Sequence, residues 1–187
     1  RREEEHRILL EKVLKPGMTV LDIGANIGYY ALMEHRQVGP SGHIIAVEPS
    51  PQNAALLKRN LALNGCDNIT VYNGAISDRP GKRPLHLSPF SNLHSFHAVD
   101  GPEQLAGETI DVEIMTVPQA ANGAAGPDLI RMDVEGHEVE VLNGMLASVE
   151  SGEMKPMILF ETHRNTYGPD HDIAAPREQL RIRPEGE

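Results

Sequence analysis

Four short runs hold the side chains of this 187-residue chain best placed to do chemistry: Asp22-Ile23-Gly24-Ala25-Asn26-Ile27-Gly28, Val47-Glu48-Pro49-Ser50, Asp133-Val134-Glu135-Gly136-His137 and Glu161-Thr162-His163. The first reads as a buried strand running through a glycine-marked bend into a helix. Such a bend offers backbone N–H groups and a close backbone approach to a nucleotide-like ligand. Its spacing is not that of a dinucleotide fingerprint, because the first, third and sixth places from Gly24 hold Gly24, Asn26 and Tyr29. It fits Asp-x-Gly-x-Asn-x-Gly, in which Asn26 takes a left-handed turn position that glycine often holds. Glu48 follows the next apolar run, roughly twenty residues on, where an acidic side chain accepts hydrogen bonds from both ribose hydroxyls in nucleotide-binding folds.

Elements of a particular kind must carry these runs. Helical spacing is expected over Glu3–Leu14, over Ile27–Glu34, from Pro51 to about Asn64 with Ser50 as its cap, and after His137 through Val149. Apolar runs at Met18–Ile23, His43–Val47, Ile69–Tyr72, Leu129–Val134 and Pro156–Phe160 read as core strands, and Thr109–Val117 as a strand with one solvated face. Arg79-Pro80-Gly81-Lys82 reads as a turn, and the weak pattern from Pro84 to Val99 as a short edge strand and a surface loop. Alternating strands and helices predict an α/β fold, a Rossmann-like doubly wound and mostly parallel sheet. Right-handed crossovers then bring every strand's C-terminal end to one edge, where ligands bind. All four runs, with Asn73-Gly74-Ala75 after the third strand, fall on that edge.

The bend resembles motif I of the class I S-adenosylmethionine-dependent methyltransferases. That resemblance implies a cofactor site formed by Asp22, Gly24, Ala25, Asn26, Gly28 and Tyr29, with Glu48, Pro49 and Ser50 at the ribose and Asn73, Gly74 and Ala75 at the adenine. Together with Val47-Glu48-Pro49, Asp128-Leu129-Ile130-Arg131-Met132-Asp133-Val134-Glu135-Gly136 and Ile158-Leu159-Phe160-Glu161, it is similar to the FkbM family of methyltransferases over about Met18 to His163. The resemblance implies a class I methyltransferase fold, S-adenosylmethionine as cofactor, and O-methylation of a small hydroxylated substrate, a sugar or secondary metabolite. It divides the chain into an N-terminal helix, residues 1–17, and one S-adenosylmethionine-binding domain, residues 18–187. Such folds continue past the fifth strand into a helix and an antiparallel hairpin, and the 24 residues after His163 suggest a truncated hairpin.

Methyl transfer from a sulfonium is an in-line displacement, so holding the reactants at contact supplies much of the rate. A hydroxyl acceptor also needs a base within hydrogen-bond reach. His163 is the first candidate, with Glu161 to orient it. Asp133 is the third catalytic candidate and doubles as an acceptor for the cofactor's ammonium group, a role Glu135 could share. His137, with Glu135 a further base candidate at this edge, is read as a structural residue, and His94 and His97 as surface histidines of a loop that could cover the pocket. A divalent ion on Asp133, Glu161 and His163 is the alternative; catalysis without a metal is the expectation.

Composition bounds the rest. A net charge of -10, few basic runs and no Trp argue against a nucleic-acid partner. Methylation of a nucleic-acid base remains the rival acceptor class, and a methyltransferase-like binding module without activity the rival from outside enzymology. Cys66 is the lone cysteine, which excludes an internal disulfide and a cysteine zinc site and suits a cytoplasmic location. No segment approaches the length of a membrane span, so no membrane partner is expected. Nothing in the chain indicates an oligomeric state.

Overall fold

The computed structural model describes residues 2–88, 94–96, 108–121, 126–162, 167 and 171–180. Five parallel strands form the main sheet: β1 (Thr19–Ile23), β2 (His43–Glu48), β3 (Ile69–Asn73), β7 (Leu129–Met132) and β8 (Met157–Phe160), in the order β3-β2-β1-β7-β8. The order reverses between β1 and β7. An open α/β sheet leaves a crevice at such a point, outside the strands' carboxyl ends.

Period-two alternation assigns the core. Val20 of β1, Ile44 and Ala46 of β2 and Leu129 of β7 pack with α1 (Arg2–Val13), α2 (Tyr29–Val38) and α3 (Pro51–Leu63) on one face. Leu21, Ile23, Val47, Ile130 and Met132 pack on the other with Val117 of α4 (Val117–Ala120) and Val141 and Leu142 of α5 (Glu138–Asn143). The same alternation sends Asp22 and Arg131, which are register partners across β1 and β7, toward the α2 face. Two charges therefore enter an apolar layer together.

A three-stranded sheet stands beside the main one, in the order β4-β6-β5, from β4 (Ala75–Ile76), β5 (Gly81–His86) and β6 (Thr109–Met115). The expected Arg79–Lys82 turn gives way to β5 at Gly81, antiparallel to β6. Pro84 is tolerated there because β5 is an edge strand. The expected one-sided strand is β6, but it belongs to this second sheet rather than the parallel one.

Two helix boundaries also differ from expectation. Gly28, at φ 97°, is left-handed and cannot be helical, so α2 starts at Tyr29 and runs to Val38. The helix after His137 is broken into α5 and α6 (Leu146–Glu150) at Gly144. A Cβ on Gly144 would lie 2.3 Å from the Ser77 carbonyl oxygen, and only glycine lets that turn approach β4 so closely. Ser50 caps α3 as expected, accepting the Asn53 N–H, with Pro51 in the first turn. The last described helix is α7 (Ala174–Gln179), and no described helix is long and apolar enough to cross a membrane.

Candidate active site

The bend after β1 is built from backbone conformations few residues accept. Gly24, Asn26 and Gly28 have φ of 81°, 49° and 97°, and Asn26 takes the left-handed position expected of it. A Cβ on Gly24 would lie 2.0 Å from the Asp133 carbonyl oxygen, so the bend presses directly on the end of β7. On Gly28 it would meet the Leu57 side chain at 2.6 Å. Glycine here sets how closely three elements meet.

Glu48 ends β2 with its carboxylate turned to that bend. Its Oε2 accepts the Asn26 N–H at 2.9 Å, and its Oε1 accepts the Ser50 N–H at 2.9 Å and the Asn53 side-chain amide at 3.4 Å. Burial pushes its pKa from the ordinary glutamate range up to about 7, against the lowering effect of the Ser50 and Asn26 amides. The group lines a cavity of about 410 Å³, a size within the range of small-molecule sites. Gly24, Ala25, Asn26, Tyr29 and Tyr30 form one wall, Pro49 and Ala75 continue past Glu48, and Asp133 and Glu135 stand at the β7 end.

The remaining expected site residues lie around this cavity rather than on its surface. Asp22 is fully buried below it, paired through Oδ1 with Arg131 at 2.9 Å. Ser50 is spent on capping α3. Asn73 donates its side-chain amide to the carbonyls of Glu48 at 2.9 Å and Pro49 at 3.1 Å, bracing the β2 end instead of facing the ligand space. Gly74 and Gly28 do not line the cavity; a Cβ on Gly74 would lie 2.4 Å from the Tyr72 ring. Glu161 is half-buried at the end of β8, its N–H directed to the Met132 carbonyl, and it too is absent from the cavity wall. His163 and His97 lie outside the described residues.

Several groups on the wall were not expected there. Arg131 is buried and donates to Asp22, to the Gly24 carbonyl at 3.3 Å and to Asp133 at 3.2 Å, while its guanidinium carbon sits 4.0 Å from the Tyr30 ring centroid. A lone arginine inside the apolar run Leu129-Ile130-Arg131-Met132 was the available signal, since a buried charge requires a partner. His94, read as a surface histidine, lines the cavity, and burial lowers its pKa. Its Nδ1 accepts the Ser88 N–H at 3.0 Å, which leaves the neutral ring its proton on Nε2. Phe96 completes that wall by stacking on His137, with ring centroids 4.7 Å apart, and Leu85 of β5 and Ile76 of β4 add apolar surface. His137 is buried, as a structural residue would be, with Nε2 3.0 Å from Ser77 Oγ, yet it also lines the cavity.

Below the floor, Glu34 of α2 is fully buried, and burial followed by the charge of Asp22 raises its pKa well above the ordinary glutamate range. A raised carboxyl favours the folded state below its unfolded pKa and loses that advantage as pH climbs through its folded value. Glu34→Gln, which removes the titration while keeping the shape, is therefore expected to melt above the unaltered protein by a margin that widens from pH 5 to pH 8. Thermal melts across that range measure the margin; a constant or shrinking one contradicts the buried-acid assignment.

Comparison with known proteins places this geometry. The sequence profile described as "Methyltransferase FkbM domain" matches residues 22–181. The 2-O-methyltransferase NoeI of Sinorhizobium fredii is 29% identical over 158 residues, spanning 74% of this chain and 62% of that protein. The 31-O-demethyl-FK506 methyltransferase FkbM of Streptomyces tacrolimicus is 31% identical over 160 residues, spanning 71% and 61%. This chain thus spans less than two thirds of the length of these curated relatives. The crystal structure of methyltransferase FkbM from Methylobacillus flagellatus KT shares the fold, with a TM-score of 0.60 at 16% identity over 96% of this chain and 45% of that one. The profile match takes in the bend, Glu48 and the β7 end alike, and on that ground the chain belongs to the FkbM methyltransferase family.

Proposed function

We propose that this protein is an S-adenosylmethionine-dependent O-methyltransferase acting on a hydroxyl of a small molecule, a sugar or secondary metabolite. The observation that carries the reading is Glu48: a buried carboxylate at the end of β2, held by the Asn26 and Ser50 amides and lining the cavity beside the Gly24–Gly28 bend. A ribose needs such an acceptor for its two hydroxyls. The names of the relatives, a 2-O-methyltransferase and a 31-O-demethyl-FK506 methyltransferase, support oxygen as the methyl acceptor.

The residues fit this cofactor. Gly24 lets the bend lie directly against the β7 end, Ala75, Ile76 and Pro49 give apolar surface for a base, and the cavity is of small-molecule size. Gly24, Ala25, Asn26, Tyr29, Glu48, Pro49, Ala75 and Asp133 are the residues that would hold it. When bound, S-adenosylmethionine supplies an electrophilic methyl group on a sulfonium. The chain's part is to fix the acceptor against that group, exclude water and receive the hydroxyl proton. Asp133 and Glu135 are the carboxylates of the β7 end that line the cavity, and the proposed base comes from this pair. Arg131 restrains Asp133 by a hydrogen bond.

The reading is tested by calorimetry with S-adenosylmethionine, followed by incubation with methyl-labelled cofactor and a panel of hydroxylated sugars, lipids and metabolites. Binding with label recovered on an oxygen supports it. Binding with no transfer to any acceptor favours a cofactor-binding module, and absence of binding overturns the proposal.

A further inference from the structure

Beneath the cavity, β1 and α2 each carry a fully buried carboxyl group, and the charge of one acts on the other. Asp22 and Glu34 are both fully buried, and neither Glu34 oxygen nor Asp22 Oδ2 has a hydrogen-bond partner among the described residues. Desolvated carboxylates with open lone pairs are costly, and such groups keep a proton instead. The neighbouring cation is Arg131 of β7, which is shared between Asp22 at 2.9 Å and Asp133 at 3.2 Å. Three acids around one guanidinium leave negative charge in excess. Burial accordingly raises both Asp22 and Glu34, and each feels Arg131 in the lowering sense.

The groups around this pair are Arg131 from β7, Asp133 from the segment after it, Tyr30 from α2 over the guanidinium, and Glu48 from β2, on which the Asp22 charge acts. All four also line the cavity. The charge of a cavity ligand is therefore felt by the buried pair through Arg131, which donates to Asp22 and lines the cavity.

We propose that Asp22 and Glu34 hold one proton between them and that a cationic ligand in the cavity expels it, whereas an uncharged ligand of the same shape leaves it in place. The step is an ionisation: a carboxylic acid becomes a carboxylate and the proton passes to solvent, returning the local net charge to the value it had before the cation entered. This rests on the cofactor reading and deepens it, because the sulfonium cofactor and its thioether product differ in that charge. Glu34 and Asp22 would then separate substrate from product without touching either. Ionisation of the pair strengthens the hold on the cation, and the return of the proton withdraws it from the neutral product.

The experiment measures protons rather than turnover. S-adenosylmethionine and S-adenosylhomocysteine are each titrated calorimetrically into the protein at pH 7 in buffers of different ionisation enthalpy, which gives the protons released per ligand bound. Protons displaced from Glu48 by the shared ribose are common to both ligands. The sulfonium is expected to release more than the thioether, by up to about one proton. In Glu34→Gln this excess shrinks to whatever the ligands' own amino groups contribute. A second readout needs no variant: the infrared band of protonated carboxyl groups should weaken with the thioether only by the Glu48 share and weaken further with the sulfonium. An excess equal in the two proteins, or a band that responds alike to both ligands, overturns the inference while leaving the cofactor reading intact. No binding of either ligand overturns the cofactor reading itself.

Discussion

Glu48→Ala is expected to weaken S-adenosylmethionine binding by roughly 10²–10³-fold, the loss of two charge-assisted hydrogen bonds. Glu48→Gln should fare little better despite its shape. Each carboxylate oxygen receives a backbone N–H, Oε2 from Asn26 and Oε1 from Ser50, so an amide must turn its NH₂ group toward one of two donors. The same contacts set the pH dependence. A protonated Glu48 presents an O–H where the bend and the ribose both need an acceptor, so binding favours the ionised form. With the pKa raised to about 7, affinity should climb about tenfold from pH 6 to pH 8. Calorimetry at three pH values measures it, with Glu48→Ala as the reference; a pH-independent affinity, or a variant that binds normally, would remove Glu48 from the site.

The second large effect is expected at Gly24. An added methyl group must enter a backbone at φ 81° and would sit 2.0 Å from the Asp133 carbonyl oxygen. The left-handed conformation costs a non-glycine residue roughly 1–2 kcal/mol, and a forced separation of packed elements roughly 1–3 more. Gly24→Ala should therefore destabilise the domain by about 3 kcal/mol, a fall in Tm of roughly 6–12 °C at this size. Relief of the clash would separate the bend from the β7 end, which carries Asp133 and Glu135, so any folded remainder should bind cofactor weakly. Thermal melts and calorimetry on the same sample distinguish the two losses. An alanine variant with unchanged Tm and affinity would show that the bend and β7 do not need their close approach.

Much of this arrangement was legible in the chain because its signals are local. The apolar runs of β1, β2 and β7, the Ser50-Pro51 cap and the left-handed Asn26 each follow from residue type over a few positions, and topology then gathers their ends on one edge. What was not legible depends on register and on the second sheet. Asp22 looked like a ligand-facing acid until its pairing with Arg131 across β1 and β7 turned it to the α2 face. Asn73 and Ser50 have the right chemistry for a cofactor contact, yet their hydrogen bonds go to the β2 end and the α3 cap. His94 and Phe96 follow a stretch with no clear periodicity, and the backbone pairing of Ser95 with His86 brings them to the cavity. No single-strand pattern encodes that contact.

A crystal structure of the protein with S-adenosylhomocysteine tests the account most directly. The ribose hydroxyls should lie within hydrogen-bond distance of the Glu48 carboxylate, with the base against Ala75 and Ile76 and the amino-acid end toward Gly24 and Asp133. A ligand seated elsewhere, or a ribose that leaves Glu48 bound only to the Asn26 and Ser50 amides, would contradict it.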